Sequence, residues 1–272
     1  LSGLADKPSP EKGEPGGADD ESADRHFAWR FANSAGRGTF VCIDPLDQLG
    51  SSAGHLRKAL LDGSVMIIDA PCGAGGGALG ILSAVYEMRR ARVLPTLPLQ
   101  VKIVAADFSP RAMHHYAQMI EHFAPELRKA CVFVDVEFQR WDVSNLLSST
   151  ELIDKAASHI GCVDRSVLLI ANFSGALSDG GLRERFEHFF SQCVARLSAG
   201  PHLIFWVEPK TKDAASLLGK IGSWTERLLS GLVSSTAGSE ISCQYDMIDP
   251  LTIKRYRSGV SIFRCEVGGA SW

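Results

Sequence analysis

The sequence lacks the features that mark membrane and secreted proteins. No run of about 18 apolar residues is present, and a transmembrane helix needs roughly that length. No secretory signal pattern opens the chain. We therefore expect a soluble protein of the cytoplasm that does not associate with membranes.

Patterns of metal and disulfide sites are also missing. The seven cysteines show no C-x-x-C spacing, and several lie in apolar segments, where a free thiol behaves as a small hydrophobic residue. The eight histidines form no H-x-x-x-H pair, and we expect the adjacent His114 and His115 on the surface of a helix. These patterns predict neither a metal site nor a disulfide framework, as is usual in a reducing compartment.

Basic charge is scarce as well. The whole chain has a formal net charge of −3, and its first 24 residues carry seven acids against two lysines, which leaves the remainder at +2. Proteins that bind a phosphate backbone usually have a strongly basic surface. Nucleic acid is therefore not favoured as a partner, although a local basic patch would still allow it.

Composition divides the 272 residues into three regions. Residues 1–25 are rich in proline, glycine and acid and hold few apolar side chains, so we expect a disordered tail. Docking of a protein partner is a second role that this tail allows. Residues 26–63 form a cap segment with closely spaced aromatics, and residues 64–272 have the length of one α/β domain.

The chain is organised around a glycine-rich loop that follows a short apolar run. Residues 65–68 are apolar with β-branched members, which predicts a strand buried on both faces, and the run ends at Asp69. Gly75, Gly77 and Gly80 match the dinucleotide pattern G-x-G-x-x-G, which favours an NAD-dependent oxidoreductase. A match of this kind is weak in a chain with 26 glycines.

The same loop matches a second pattern, D-x-x-x-G-x-G, formed by Asp69, Gly73 and Gly75. This pattern resembles motif I of the class I S-adenosyl-L-methionine (SAM)-dependent methyltransferases. The resemblance implies that Asp69, Ala70, Pro71, Gly73 and Gly75 wrap the methionine part of SAM, and that Asp69 contacts its ammonium group directly or through water. A pyrophosphate would instead be repelled by a carboxylate at this position, so Asp69 favours a cationic cofactor over NAD.

A second strand over residues 101–107 ends in Asp107-Phe108-Ser109-Pro110. Ser109 suits the N-cap of a helix, and Pro110 suits its first position. The four residues resemble methyltransferase motif II. The resemblance implies that Asp107 binds both ribose hydroxyls and that Phe108 packs on the adenine. Asp107 lies 32 residues after Gly75, whereas the ribose acid of a dinucleotide site is expected after about 20.

The third strand, residues 132–139, alternates apolar and polar side chains, which predicts an edge strand. Asp142 and Val143 follow it. The resemblance implies that Asp142 accepts from the adenine amino group and that the Val143 amide binds a ring nitrogen. Further along, Ser148 and Glu151 predict a capping box that opens a helix over residues 152–160.

Residues at the ends of the fourth and fifth strands are candidates for the acceptor side. Asn172 follows residues 167–171, at a position where enzymes that methylate bases often carry [D/N]-P-P-[Y/F]; both prolines are missing here, which does not favour base methylation. Asn172 can contact SAM or the acceptor. Glu208, after residues 202–207, is the second catalytic candidate and Tyr245 the third. A strand-end carboxylate paired with a nearby lysine is the alternative for Glu208.

The cap segment carries two arginines, Arg30 and Arg37, that could bind a carboxylate. In the family that the motifs resemble, an N-terminal helical segment often covers the cofactor. We therefore expect residues 26–63 to contribute to the acceptor pocket.

Two β-rich segments, residues 241–245 and 260–267, close the chain without a helix between them. This order indicates an antiparallel C-terminal edge, as in the methyltransferase fold. We expect an α/β three-layer sandwich with a seven-stranded, mostly parallel sheet and an antiparallel C-terminal edge strand. The predicted function is SAM-dependent methyl transfer to a small molecule or protein, and an inactive methyltransferase-fold scaffold remains the other alternative besides the NAD enzyme.

Overall fold

The computed structural model describes residues 8–10, 16–178, 180–197, 202–229, 235–248, 253 and 255–268. Its helices are α1 (Asp20–Ile43), α2 (Ser51–Ala59), α3 (Gly76–Arg90), α4 (Pro110–Lys129), α5 (Leu146–Ile160), α6 (Gly180–Leu197) and α7 (Lys212–Leu229). Its strands are β1 (Gly63–Asp69), β2 (Leu99–Asp107), β3 (Val132–Arg140), β4 (Arg165–Ala171), β5 (His202–Pro209), β6 (Ser235–Ile248) and β7 (Arg255–Val267).

The strands form one sheet in the order β3-β2-β1-β4-β5-β7-β6. Strands β1 to β5 pair in parallel, and β7 pairs antiparallel with both β5 and β6. The predicted fold class is thereby confirmed. The antiparallel strand is β7, and it lies between β5 and the edge strand β6. The order reverses between β1 and β4, so a ligand crevice is expected at the carboxyl ends of these strands.

Helices cover both faces of the sheet. Side chains alternate along β1, so that Val65 and Ile67 belong to one core, and Met66 and Ile68 belong to the other. The first core includes side chains of α1 to α4 and the second includes those of α5 to α7. Each fully buried aliphatic side chain contributes about 1.5–3 kcal/mol, so the two cores together fix the three layers. Among the described helices, none is long and apolar enough to cross a lipid bilayer.

Helix α1 begins earlier than the composition indicated. Its N-cap is Asp19, which accepts from the Ser22 amide, while the Ser22 side chain in turn bonds the Asp19 backbone. This capping box satisfies amides at the start of the helix. The ordered chain therefore includes residues 20–25 of the region for which a disordered tail was expected; residues 1–7 and 11–15 of that region lie outside the described residues.

A partly buried ion cluster fastens the start of α1 to α4. The Asp24 carboxylate accepts from Nε of Arg111 at 2.7 Å and lies 2.7 Å from Nε2 of His115. Arg111 above all, and also His115, lowers the pKa of Asp24 to about 2. His115 is 3% exposed and stacks on Phe27, so the prediction that it lies on the helix surface was wrong. The cause is α1, which covers this face of α4.

Glycines bring α1 and α3 into close contact. A Cβ atom on Gly38 of α1 would lie 2.4 Å from the Gly77 carbonyl oxygen, and a Cβ atom on Gly80 of α3 would lie 2.1 Å from the Ala35 carbonyl oxygen. Only glycine permits backbones to approach this closely. Helix α1 consequently lies directly over the N-terminal half of α3, next to the glycine loop.

Helix α5 also differs from its prediction. It begins at Leu146, and its N-cap is Asn145, whose side chain accepts from the amides of Leu147 and Ser148. The expected capping box of Ser148 and Glu151 was therefore wrong, because Ser148 already lies in the first turn. Its hydroxyl accepts instead from the Asp142 amide at 3.1 Å, and this bond positions the chain after β3.

Candidate functional site

Two of the predicted acids meet at the carboxyl edge of the sheet. Strands β1 and β2 are parallel neighbours in which Asp69 pairs with Ala105, so Asp107 extends two residues beyond it. Asp69 is 1% exposed and Asp107 is 7% exposed. Burial, together with the nearby Asp107 carboxylate, raises the pKa of Asp69, and perturbed pKa values of this kind are common at functional sites.

Asp107 bridges the glycine loop and the loop after β2. Its Oδ2 accepts from the Gly73 amide at 2.7 Å and its Oδ1 accepts from the Ser109 amide at 2.9 Å. Burial raises the pKa of Asp107, and the amide hydrogen bonds act in the opposite direction. A carboxylate offers about four acceptor positions, so Asp107 keeps acceptor capacity for a hydroxyl group of a ligand.

Asp69 lies deeper, against α4. Burial and the charge of Asp107 raise the pKa of Asp69 well above its ordinary value. Its Oδ2 and the Tyr116 hydroxyl make no hydrogen bond of normal geometry, although the two groups face each other closely enough to interact electrostatically. A cationic ligand group at this edge would offset both the burial and the repulsion, and it would favour the ionised carboxylate.

The two loop glycines that the motif requires have different surroundings. Gly73 has φ of 51° and Gly75 has φ of 77°, a region of backbone geometry that favours glycine. A Cβ atom on Gly75 would lie 2.3 Å from the Tyr116 ring, whereas one on Gly73 would meet no atom of the described residues within 4 Å. Gly75 is thus required by packing, while the open side of Gly73 leaves room for a ligand. Between β1 and these glycines, Ala70 is buried and its peptide bond to Pro71 is cis.

The residues expected at the adenine surround the ends of β2 and β3. The Phe108 ring is 47% exposed, and the Arg140 guanidinium lies 5.3 Å from its centroid, over one face. Asp142 lies two residues after β3, where its Oδ1 accepts from the amide and the hydroxyl of Ser144. Val143 is buried in the second core. The structure thus brings Asp69 and Asp107 together, and it places Asp142 on the adjacent strand end with its carboxylate directed to its own turn.

Asn172 lies at the carboxyl end of β4 and contacts α1. It has φ of 58°, a conformation that asparagine tolerates better than most residues. Its Oδ1 accepts from Nη2 of Arg37 at 2.5 Å, and its Nδ2 donates to the Ser34 hydroxyl at 2.7 Å. Helix α1 therefore extends across the mouth of β4. Because Ser34 and Arg37 are about 135 residues away in the sequence, neither contact could be read from a local pattern.

Glu208 is fully buried behind the loop that carries Asn172. Its Oε1 accepts from the amides of Phe173 and Ser174 and from Nε1 of Trp206, and its Oε2 accepts from the Ser174 hydroxyl. Burial raises the pKa of Glu208, and these hydrogen bonds counteract the rise. The carboxylate thus holds the loop after β4 in place, and its hydrogen-bond partners are this loop and its own strand.

Other residues of the site carried weaker signals in the sequence. Tyr116 carried no functional signal in the sequence, yet its hydroxyl faces Asp69 and its ring packs on Gly75. Ser34 had no signal of its own. The glycines of α1 and α3 could have indicated that the two helices cross closely, which would have placed Ser34 and Arg37 near the loop.

The arrangement fits SAM in three respects. Asp69 provides a buried carboxyl group whose Oδ2 makes no hydrogen bond of normal geometry with the described residues, which suits an ammonium group. Gly73 has an open side, and Asp107 has unused acceptor positions for hydroxyl groups. In the described part of the chain, no group of three or more histidine, cysteine, aspartate or glutamate side chains could hold a metal ion.

Comparison with known proteins finds similarity among solved structures alone. No family model matches the sequence, and no curated protein matches it. The chain is similar to precorrin-6y C5,15-methyltransferase from Geobacter metallireducens (13% identity over 80% of this chain and 86% of that chain, TM-score 0.41). It is also similar to precorrin 8w decarboxylase from Methanobacterium thermoautotrophicum (12% identity over 77% of this chain and 84% of that chain, TM-score 0.38). A third similar structure is loganic acid methyltransferase with SAH (9% identity over 81% of this chain and 68% of that chain, TM-score 0.34).

Proposed function

We propose that this protein is a SAM-dependent methyltransferase. The observation that carries the proposal is the hydrogen bond between the Gly73 amide and the Asp107 carboxylate, with the Asp69 carboxyl buried beside them. Two acids and a glycine with free space beside it lie at the carboxyl edge of the sheet. They suit a ligand that carries a cationic group at one end and a ribose at the other. The seven free cysteines suit a reducing compartment, and we place the protein in the cytoplasm on that ground.

The residues that would hold SAM follow the strand ends. Asp69 would face the ammonium group, the loop with Ala70, Pro71, Gly73 and Gly75 would enclose the methionine part, and Asp107 would bind the ribose. The exposed Phe108 ring would stack on the adenine, with Asp142 and the Val143 amide at its edge. When bound, SAM supplies an electrophilic methyl group on a sulfonium.

The protein's own contribution is chiefly orientation. A fixed approach of the acceptor to the methyl group supplies much of the rate, and a base is needed only where the acceptor must lose a proton early. Asn172 is the acceptor-side residue that we propose to touch a ligand. Glu208 acts as a positioning residue, because both of its oxygens already accept bonds from the loop after β4 and from Trp206.

The acceptor that we propose is a small molecule or a protein side chain. Beyond the acidic N-terminal region the chain carries a net charge of only +2, which is little for binding a phosphate backbone. We also propose that the N-terminal tail is a place where a protein partner docks.

An inactive scaffold is the second candidate, and the state of Asn172 favours it. Both polar atoms of its side chain are engaged by α1, through Arg37 and Ser34. An NAD enzyme is less well supported. The Gly73 amide already donates to the Asp107 carboxylate, and a pyrophosphate would need such an amide as a donor.

Thermal unfolding of the full chain with SAM, its demethylated product or NAD distinguishes the cofactors. We expect SAM and the product to raise the melting temperature and NAD to leave it unchanged, since binding to the folded state stabilises it by mass action. A screen of small molecules and proteins with methyl-labelled SAM then separates an enzyme from a scaffold. Stabilisation by NAD but not by SAM would overturn the proposal, and binding without transfer would support the scaffold.

A further inference from the structure

Arg37 is a buried cation that has no carboxylate partner within the described part of the chain. Arg37 is 9% exposed, and its buried Nε has no hydrogen bond to any residue that the structure describes. Its Nη2 donates to the neutral Asn172 amide. Among the residues that the structure describes, no acid lies within 4.0 Å of the guanidinium. A buried guanidinium in this state is costly unless an anion completes its shell.

The charges around Arg37 leave its own charge incompletely balanced. Glu208 attracts the guanidinium from a distance, but both of its oxygens accept bonds from other groups. Arg30 repels it from the same helix. Burial removes water from the guanidinium, and it thereby lowers the pKa of Arg37. An anion with free oxygens would stabilise it.

The position of Arg37 is as informative as its burial. The next residue, Gly38, packs on the Gly77 carbonyl at the start of α3, immediately after the glycine loop. One turn earlier, Ser34 contacts both Gly76 and Asn172. The guanidinium therefore lies between the glycine loop and the mouth of β4, beside the crevice where a ligand is expected.

We propose that Arg37, together with Asn172, forms a subsite that receives a ligand carboxylate. The planar guanidinium has a free Nε donor, and charge-assisted bonds to carboxylates are the strongest that such a donor makes. Two sources share this chemistry, namely the carboxylate of the SAM methionine and a carboxylate on the methyl acceptor. The choice between these sources rests on the proposed function, whereas the subsite itself does not.

A probe without SAM tests the subsite first. The melting temperature of the full chain is measured in sodium malonate and in sodium chloride of equal ionic strength. We expect the additional rise in malonate to be larger in the wild type than in Arg37→Met, with Arg37→Lys between them, because malonate also stabilises folded proteins in general; Arg90→Met, which changes an exposed arginine, should behave as the wild type. Equal malonate effects in the wild type, Arg37→Met and Arg37→Lys would overturn the subsite.

Decarboxylated SAM then identifies the source. If the carboxylate belongs to SAM, Arg37→Met and Arg37→Lys should bind SAM about tenfold to a hundredfold more weakly and decarboxylated SAM with unchanged affinity. If it belongs to the acceptor, SAM affinity should stay unchanged, and kcat/KM should fall by a similar factor for acceptors that carry a carboxylate. Variants that match the wild type in binding and in turnover would overturn both assignments. A wild type that responds to malonate but binds no SAM would contradict the proposed function and leave the subsite standing.

Discussion

The Gly73 amide donates a 2.7 Å hydrogen bond to Oδ2 of Asp107, and this bond joins the loop after β1 to the end of β2. The two residues are 34 positions apart in the sequence. Their contact sets the distance between the part of the site that faces Asp69 and the part that faces Phe108. A ligand that spans both parts meets a loop whose conformation is already fixed.

The two motif glycines should respond differently to alanine. Gly73→Ala adds a methyl group to the open side of the loop, so the protein should fold with a strain of about 1–2 kcal/mol while SAM affinity falls. Gly75→Ala forces a methyl group into the Tyr116 ring and should lower the melting temperature much further. Calorimetric titration with SAM and thermal unfolding measure the two effects. Wild-type SAM affinity in Gly73→Ala would show that the open side of Gly73 is not part of the site.

Asp69→Asn should stabilise the protein without ligand, and the gain should depend on pH. Because burial and Asp107 raise the pKa of Asp69, the folded state holds a proton that the unfolded state releases above about pH 4. The contribution of Asp69 therefore makes the wild type less stable as pH rises above about 4, whereas asparagine does not titrate and the variant does not lose this stability. Melting temperatures should coincide near pH 3.5 and diverge in favour of the variant toward neutral pH. A constant difference across this range would contradict the raised pKa.

Arg89 is predicted to be a stabilising residue far from the site. Its two terminal nitrogens donate to the carbonyl oxygens of Leu61, Leu97, Ala130 and Cys131, which fastens the loop between α3 and β2. Arg89→Met leaves these carbonyls without their donor and should lower the free energy of unfolding by about 3 kcal/mol. Its neighbour Arg90 is exposed, so Arg90→Met should change the free energy of unfolding by less than about 0.5 kcal/mol. Equal effects in denaturant titrations would refute the role of Arg89.

The crossing of α1 and α3 can be tested with a pair of helical glycines. Gly80→Ala places a methyl group 2.1 Å from the Ala35 carbonyl oxygen, so α1 must move away, at a cost of more than about 2 kcal/mol. Gly54 in α2 has open space around it, and Gly54→Ala should stabilise by about 0.5–1 kcal/mol. Thermal unfolding should therefore give shifts of opposite sign. A neutral Gly80→Ala would mean that α1 does not approach α3 this closely.

Strand ends were predictable from the sequence because their signals are local. The apolar runs before Asp69 and Asp107 indicate buried parallel strands, and parallel neighbours place their carboxyl ends together. The N-cap Ser109 with Pro110 behind it likewise predicts where α4 begins, and the structure confirms it. These features depend on a few adjacent residues and on the spacing of apolar residues along the sequence.

Contacts across the fold were not predictable in the same way. Asn172 was recognised as a strand-end residue, but its bonds to Ser34 and Arg37 depend on the course of α1. The start of α1 was hidden because the acids that suggested disorder include its N-cap Asp19 and the ion-paired Asp24. A charge count cannot distinguish a solvated acid from one that caps a helix or pairs with an arginine of another helix.

The most direct test of the account is calorimetric titration of SAM into the wild type and into Asp107→Ala. We expect saturable binding to the wild type and a loss of about 1.5–3 kcal/mol in the variant, the scale of a hydrogen bond to a charged group. Asp135→Ala, which removes an exposed acid of β3, should bind as the wild type. Absence of SAM binding by the folded wild type, or equal affinity in the wild type and Asp107→Ala, would contradict the claim that Asp107 holds the cofactor.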